Sequence, residues 1–469
     1  MTAPPAPRLP VGQTTSEGFR AVARRVVRPD LPTSRKVWAL AWPVVLTNLM
    51  QSFALTVDLI FVGALGSVAL AATGVATQVF YVGMVVATGL AAGATALVAR
   101  AIGAGDKEAA DRATAATVVL ALAFSLPLIL VTYYWDAPLL RVLGADETVV
   151  EQGGLVLRIL AFATPANMLM TAATGALTGA GDTRPALVIG IGVNVANLVL
   201  DWLLIFGNLG FPEMGLAGAA VATAASFSVG GLAFLFLLWR GRRPVALGRG
   251  ALRLRETMRR LLRVGAPAGL EALVLSLGFT AYLVLILRFG ADALAAHQIG
   301  LRVQGFAFMP GFGFSAAAAA LVGQGLGRGE PREAEADGWA SIGLGLLVMM
   351  ALSLPLYAFA RPLAGLFTQS EEALALGVTW IRAIVLAMPA IAFHFGAAGA
   401  LRGAGDTRWP LLVSFGGLWL VRLPLAWLIG LHMGYGMVGV WAAYILEYYA
   451  RAVVTTWRFA RGSWKRAQV

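Results

Sequence analysis

Two aspartates stand where charge is costly. Asp58 lies in VVLTNLMQSFALTVDLIFVGALG and Asp201 in NVANLVLDWLLIFG, both apolar runs of membrane-span character. An ionisable group inside a span costs several kcal/mol unless it is paired or hydrated, so each is a candidate functional group. Burial and a neighbouring like charge both disfavour the ionised form of a carboxyl, whereas an ionised carboxyl attracts a cation. One such site can therefore hold either a proton or a cation, which is the minimum chemistry of exchange. Asn197 precedes Asp201 by four residues and shares its helix face. Asn167 and Thr223 fall at a depth that lets them join the same pocket. Helix-to-helix hydrogen bonding is the competing reading for Asn197 and Thr223. Two carboxylates and an amide oxygen also suit a hard cation, so sodium at Asp58, Asn197 and Asp201 competes with the proton.

The second half of the chain carries different intramembrane charges: Glu271, Arg302, His394 and Arg422. Glu271 and His394 each lie seven residues from the expected inner end of their spans, so the two can meet near that side. Glu271, His394 and Arg422 are thus candidates for a second site, with a Glu–His pair as proton carrier. The alternative is a structural Glu–Arg or Glu–His pair that holds the bundle.

These residues need a membrane scaffold, and the composition supplies one. Hydrophobic residues make up 59% of the 469 residues and charged residues 13%, with a mean hydropathy of +0.77. A soluble domain carries about 25% charged residues. The 55 glycines lie inside apolar runs, where small residues let helices approach closely. There is no cysteine, and the three histidines (297, 394, 432) are too scattered to hold a metal, so no metal site and no cofactor is expected. No Walker motif and no Ser/His/Asp elbow is present, which points away from ATP-driven work and from an enzyme. An ion gradient is the remaining energy source.

The net charge of +12 would suggest nucleic acid in a soluble protein. Here 29 of the 36 Lys and Arg fall in the N-terminal tail, in alternate interhelical loops and in the C-terminal stretch. The opposite loops carry Asp136, Asp146, Glu147, Glu151, Glu371 and Glu372. This asymmetry predicts both termini in the cytoplasm, on the inner face of a multi-pass membrane protein with no nucleic-acid partner.

A ten-residue phrase occurs twice: GALTGAGDTR at 175–184 and GALRGAGDTR at 399–408, an offset of 224. Pro43 and Pro267, Gly66 and Gly290, Gly103 and Gly327, Pro138 and Pro362, Pro165 and Pro389, and Gly215 and Gly439 share that offset. Residues 42–240 therefore map onto 266–464 as a duplicated module. A span needs about 20 apolar residues. That ruler predicts twelve, at roughly 37–64, 70–98, 113–134, 155–178, 185–207, 215–238, 264–289, 293–322, 338–359, 378–401, 410–431 and 437–459. Six per repeat is even, so the copies run parallel. The expected fold is an all-α integral membrane protein of two six-helix bundles, related by a pseudo-two-fold axis along the membrane normal.

The expected division is a disordered basic tail over 1–36, an N-lobe over 37–238, a basic linker over 239–263, a C-lobe over 264–459 and a tail over 460–469. The linker carries nine Arg and one Glu, and reads as an anchor on anionic lipid. In the repeated phrase, Gly179 and Gly181 can end the fourth helix and Asp182 can cap the fifth, with Gly403, Gly405 and Asp406 repeating this later. The phrase reads as a tight hinge. The offset also shows where the halves differ: Asp58 maps to Tyr282 and Asp201 to Leu425.

Together these residues resemble the multidrug and toxic compound extrusion (MATE) transporters over about residues 37–466. The resemblance rests on Pro43…Gln51…Val57-Asp58, GAGDTR after the fourth span, Asn197…Asp201 followed by LLIFG, GLAGAAVAT entering the sixth span, Arg422-Leu-Pro-Leu, and Arg458-Phe…Gly462…Trp464. It implies two bundles around a central cleft that opens alternately to either side, and export of organic cations and amphipathic drugs in exchange for protons or sodium. It implies Asp58, Asn197 and Asp201 as the coupling site and adds Gln51 to Asn167 and Thr223 as pocket candidates. Sodium-driven members also use an acid on the tenth helix. The comparable stretch, PAIAFHFGAAGALRG, has only His394, which favours proton coupling as in the DinF branch. The aromatics Phe53, Phe80, Tyr81, Phe306, Phe308 and Phe312 are candidates to line a cleft for flat cations. A monomer surrounded by lipid suffices for this chemistry. The rival from another class is a flippase for lipid-linked precursors. Such a protein favours a cationic cavity, whereas the mid-span arginines are Arg302 and Arg422 alone and stand against the two aspartates.

Overall fold

The computed structural model describes residues 30–241, 243–247, 254–368 and 370–467. Twelve long helices account for most of them. The N-lobe has α1 (Leu31–Gly63), α2 (Ser67–Gly103), α3 (Lys107–Tyr134), α4 (Glu147–Gly179), α5 (Arg184–Phe206) and α6 (Gly215–Trp239). The C-lobe has α7 (Leu254–Leu287), α8 (Ala291–Gly327), α9 (Pro331–Ala358), α10 (Glu371–Gly403), α11 (Arg408–His432) and α12 (Gly436–Ala460). The first eleven are long and apolar enough to cross a membrane. The twelfth has 25 residues and carries Glu447, Arg451 and Arg458. No strand occurs among the described residues.

Several helices reach beyond the apolar ruler. α1 starts at Leu31 rather than 37, and α7 at Leu254 rather than 264, so the last ten residues of the expected linker are helix. The apolar count fails there because Arg and Glu are good helix formers outside lipid. Most of the expected 1–36 tail lies outside the described residues.

The helix ends with the GAGDTR turns, the start of α1 and residues 461–467 form one end of the molecule, termed the basic end below. Gly181 and Gly405 take φ of +78° and +89°, so the left-handed turn appears in both copies. The expected Asp caps do not. Asp182 pairs with Arg243 and Asp406 with Arg458, while Thr183 and Thr407 occupy the capping positions. A carboxylate beside a guanidinium makes a stronger, charge-assisted bond than it would to a backbone N–H. The two threonines perform a third role. Thr183 donates to the Leu40 carbonyl at 3.3 Å and Thr407 to the Val264 carbonyl at 2.7 Å. Residues 40 and 264 also differ by 224, so each turn is tied to the first helix of its own lobe.

The lobes meet near the basic end. A Cβ on Gly89 would lie 2.7 Å from the Gly265 carbonyl oxygen, and one on Gly93 the same distance from that of Leu261. Gly103 packs on the Gln324 backbone and Gly327 on that of Arg100. Two side chains then cross the boundary reciprocally. Arg100 donates to the carbonyls of Ala404 at 3.1 Å and Ala467 at 2.7 Å. Gln324, its counterpart by offset, donates to the Gly179 carbonyl at 2.9 Å. Each repeated turn therefore receives a hydrogen bond from the opposite lobe, and this pair of bonds forms a latch.

Candidate functional site

Asp58 and Asp201 each lie five residues before the far ends of α1 and α5. At 1.5 Å per residue both are about 7 Å from that end. The structure brings their carboxyls within hydrogen-bonding reach of each other. Asp201 has no exposed surface, while Asp58 is half-buried and faces a cavity of about 90 Å³. That volume accommodates a few water molecules or a small cation. Among the described residues no donor reaches Asp58 Oδ1 or either oxygen of Asp201. Their polar neighbour is the other carboxyl, and two carboxylates cannot hydrogen-bond to each other. A proton on one of them supplies the missing donor.

Gln51, Asn197 and Thr223 also line the cavity, and Asn197 Nδ2 lies 3.4 Å from Thr223 Oγ1. Asn167 does not line it. It lies seven residues beyond Leu160, the last α4 residue in the wall, on the same face but about 10 Å nearer the basic end. Asn194, Thr73, Thr77 and Tyr81 complete the polar wall. Asn194 went unnoticed in the sequence although it precedes Asn197 by one helical turn. Of the candidate aromatics, Phe80 is buried in the wall and Tyr81 borders it, whereas Phe308 and Phe312 pack with Phe395 in the other lobe. Phe53, Phe306 and Phe312 are largely exposed.

In the C-lobe buried side chains fill the matching place, and the offset of 224 shows which. Val156, Ala220, Thr223 and Phe227 of the cavity wall become Trp380, Tyr444, Glu447 and Arg451. Trp380 stacks on Trp441 with centroids 5.1 Å apart and meets Tyr444 edge-on. Tyr282, the counterpart of Asp58, is buried and donates to the Val440 carbonyl at 2.9 Å. Arg422 is fully buried beneath the rings of Tyr444, Tyr448, Tyr282 and Phe279, at 4.2 to 5.5 Å. Its Nη2 binds Glu447 Oε2 at 2.6 Å, and Arg451 binds the other carboxylate oxygen. The side chains of one lobe fill the space that the other leaves open.

At the expected second site the structure shows the alternative reading, a Glu–Arg pair, in place of a Glu–His proton carrier. Glu271 and His394 do not meet. Glu271 is gripped by Arg402 at 2.8 Å and accepts from Ser414 Oγ at 2.7 Å. His394 Nδ1 contacts Thr455 Oγ1 at 3.1 Å. The apolar ruler ends the tenth span at 401, but α10 extends through Gly403 and carries Arg402 to Glu271, with a stronger bond than an imidazole would make. Arg422 has its own partner, Glu447, on a helix whose charges were assigned to the C-terminal stretch. Arg302 is exposed on α8. Around Arg422 the helix itself changes. Gly416–Arg422 and Ala426–His432 are wound as π-helix, whereas α5, the repeat counterpart, is α-helical throughout. Gly417 leaves the room the ion pair needs, since a Cβ there would lie 2.6 Å from Arg451 Nε.

Comparison with known proteins adds an independent line. The MatE family model matches residues 43–203 and 267–428, one copy on each repeat. A probable multidrug resistance protein NorM from Thermotoga maritima is 31% identical over 446 residues, covering 94% of this chain and 96% of its own. A probable NorM from Bradyrhizobium diazoefficiens is 32% identical over 432 residues, covering 90% and 91%. Among solved structures, an outward-facing multidrug resistance MATE transporter superposes with a TM-score of 0.86 at 23% identity, covering 95% and 98%. A MOP superfamily transporter from Pyrococcus furiosus gives 0.85 at 23%, covering 97% and 100%. At that identity the structures speak for the fold.

Proposed function

This chain belongs to the MATE family of multidrug efflux transporters, and from that premise we propose that it exports cationic or amphipathic compounds in exchange for protons, with Asp58 and Asp201 as the coupling pair. The carrying observation is the closeness of two carboxyls, three of whose oxygens meet no donor among the described residues. Asp201 is sealed behind Asp58, and Asp58 borders the cavity, so a proton enters and leaves through Asp58. With one proton the pair is satisfied and its net charge falls. Loss of that proton leaves two facing carboxylates, and a cation near the cavity relieves their repulsion. Proton and cationic cargo thus compete, which makes binding of one drive release of the other. Gln51, Asn194, Asn197 and Thr223 supply neutral donors and acceptors that serve either occupant.

Alternating access then needs a two-state scaffold. In this reading the basic end faces the cytoplasm of an inner membrane, in keeping with the distribution of Lys and Arg. The latch of Arg100 and Gln324 holds that end shut, and its release lets the lobes part there.

The test is dye export from proteoliposomes under an imposed proton gradient. Asp58→Asn and Asp201→Asn should each abolish gradient-driven export while dye binding remains measurable. Retained export in both variants refutes the coupling pair. Export that follows a sodium gradient with the proton gradient collapsed replaces the proton by sodium.

A further inference from the structure

A second concavity of about 370 Å³ opens at the basic end of the C-lobe. Arginines from four segments converge on it: Arg263 of α7, Arg408 of α11, Arg458 of α12 and Arg466 of the C-terminal stretch. One carboxylate is present, Asp406, and Arg458 already binds it at 2.9 Å through Nη2 and 3.0 Å through Nε. Arg263, Arg408 and Arg466 have no ion pair among the described residues. The five groups therefore carry a net charge of +3 around one hollow. Like charges held together in this way repel, and an anion between them removes the penalty.

Scattered arginines at the inner face of a membrane protein are common and need no ligand. Two observations set this group apart. The N-lobe copy of the turn keeps only half of it: Arg408 and Arg466 have Arg184 and Arg242 as counterparts, whereas Arg263 and Arg458 have Ala39 and Phe234. The backbone that carries the fourth arginine is also fixed by packing, and the Arg466 side chain is exposed at the hollow. Trp464 is fully buried, stacks on Phe459 at 5.0 Å and donates to the Phe459 carbonyl at 2.7 Å. Lys465 binds Glu335 at 2.6 Å. The same stretch includes Ala467, whose carbonyl Arg100 grips from the other lobe.

We propose that this pocket binds a phosphate group, borne by an anionic lipid headgroup or free in solution, and that its occupancy braces the latch at the basic end. Guanidinium forks match phosphate oxygens in geometry as well as charge. A phosphate joining Arg263, Arg408 and Arg466 ties α7, the repeated turn and the C-terminal stretch together. That holds the Ala467 carbonyl where Arg100 reaches it. The placement of the pocket at the cytoplasmic headgroup level rests on the orientation proposed above, but binding is measurable without it.

The test uses the purified full chain in lipid-free detergent, titrated separately with dioleoylphosphatidylglycerol, dioleoylphosphatidylcholine and inorganic phosphate, with bound ligand counted by native mass spectrometry. Wild type should bind phosphatidylglycerol at least tenfold more tightly than the Arg263→Gln/Arg408→Gln/Arg466→Gln variant. Ser463→Glu, which places a carboxylate in the pocket wall and keeps every arginine, should lose as much. If the triple variant fails to fold, Ser463→Glu alone decides. The same discrimination with inorganic phosphate identifies free phosphate as a ligand, and discrimination with phosphatidylglycerol alone identifies the headgroup. Equal binding of both anionic probes by wild type and Ser463→Glu overturns the site. Spin labels at the far ends of α2 and α8 (Val68→Cys and Ala291→Cys) report the bracing. Phosphatidylglycerol should shift wild type, but not Ser463→Glu, toward the latched state, and binding without that shift overturns the bracing. Neither readout involves transport, so a failure of the proton mechanism leaves this test intact.

Discussion

Replacing Arg100 by Ala removes its hydrogen bonds to Ala404 of the repeated turn and to Ala467 of the C-terminal stretch, and leaves the bond from Gln324 to Gly179. Both come from one guanidinium nitrogen to carbonyl oxygens, at 3.1 and 2.7 Å. A hydrogen bond to a charged group contributes about 1.5–3 kcal/mol net when buried, and less when water competes. Arg100 is half-buried, so the pair together contributes about 2 kcal/mol to the latched state. At 1.4 kcal/mol per factor of ten, its loss raises the ratio of unlatched to latched molecules about thirtyfold. Gln324→Ala removes one neutral bond of about 1 kcal/mol, or about fivefold. The double variant should approach about 150-fold if the two contacts act independently. The chain contains no cysteine, so labels at Val68→Cys and Ala291→Cys give a clean background for distance measurement by electron–electron double resonance. Closing the far end accompanies opening of the basic end, so the label distances should shorten in the order wild type, Gln324→Ala, Arg100→Ala, double variant. An unchanged distribution in the double variant would refute the latch, and so would the reverse order of the single variants.

Other variants probe the filled C-lobe interior and the lobe contact. Glu447→Gln leaves Arg422 and Arg451 buried without a counter-charge and should cost about 3–5 kcal/mol, read as a large fall in melting temperature. Adding Arg422→Met should recover part of that loss, and no recovery would count against the pairing. Trp380→Ala opens a hole beside Trp441 and should cost about 3–5 kcal/mol in the same assay without changing the proton dependence of export. Gly89→Val places side-chain atoms against the Gly265 carbonyl and should favour the unlatched state in the label assay, while Gly74→Val, where a Cβ meets nothing within 4 Å, should not.

The broad plan was legible in the sequence because membrane helices report themselves through composition. Twelve apolar runs, an offset of 224 and a lopsided distribution of Lys and Arg suffice for two six-helix lobes, since every backbone group in lipid must bond within its own helix. Asp58 and Asp201 stood out for the same reason: a lone charge in an apolar run is conspicuous. Glu447 sits near the middle of α12 and is as conspicuous in the sequence as the aspartates, but nothing local reveals its partner, whereas Arg402 and Arg451 lie toward helix ends, where charge is unremarkable.

Pairing was beyond reach of the linear pattern. Which carboxylate meets which guanidinium depends on helix rotation and depth, so Glu271 pairs with Arg402 rather than His394, and Asp182 with Arg243 rather than a helix end. The repeated turn shows the division most clearly. Its duplication is a property of the sequence alone. That each copy is gripped by the opposite lobe, through Arg100 and Gln324, arises only when the two lobes are brought together. Likewise Thr223 and Glu447 are one position read twice along the chain. Whether that position borders a cavity or fills one was decided by the size of its neighbours in space, Ala220 in one lobe and Tyr444 in the other.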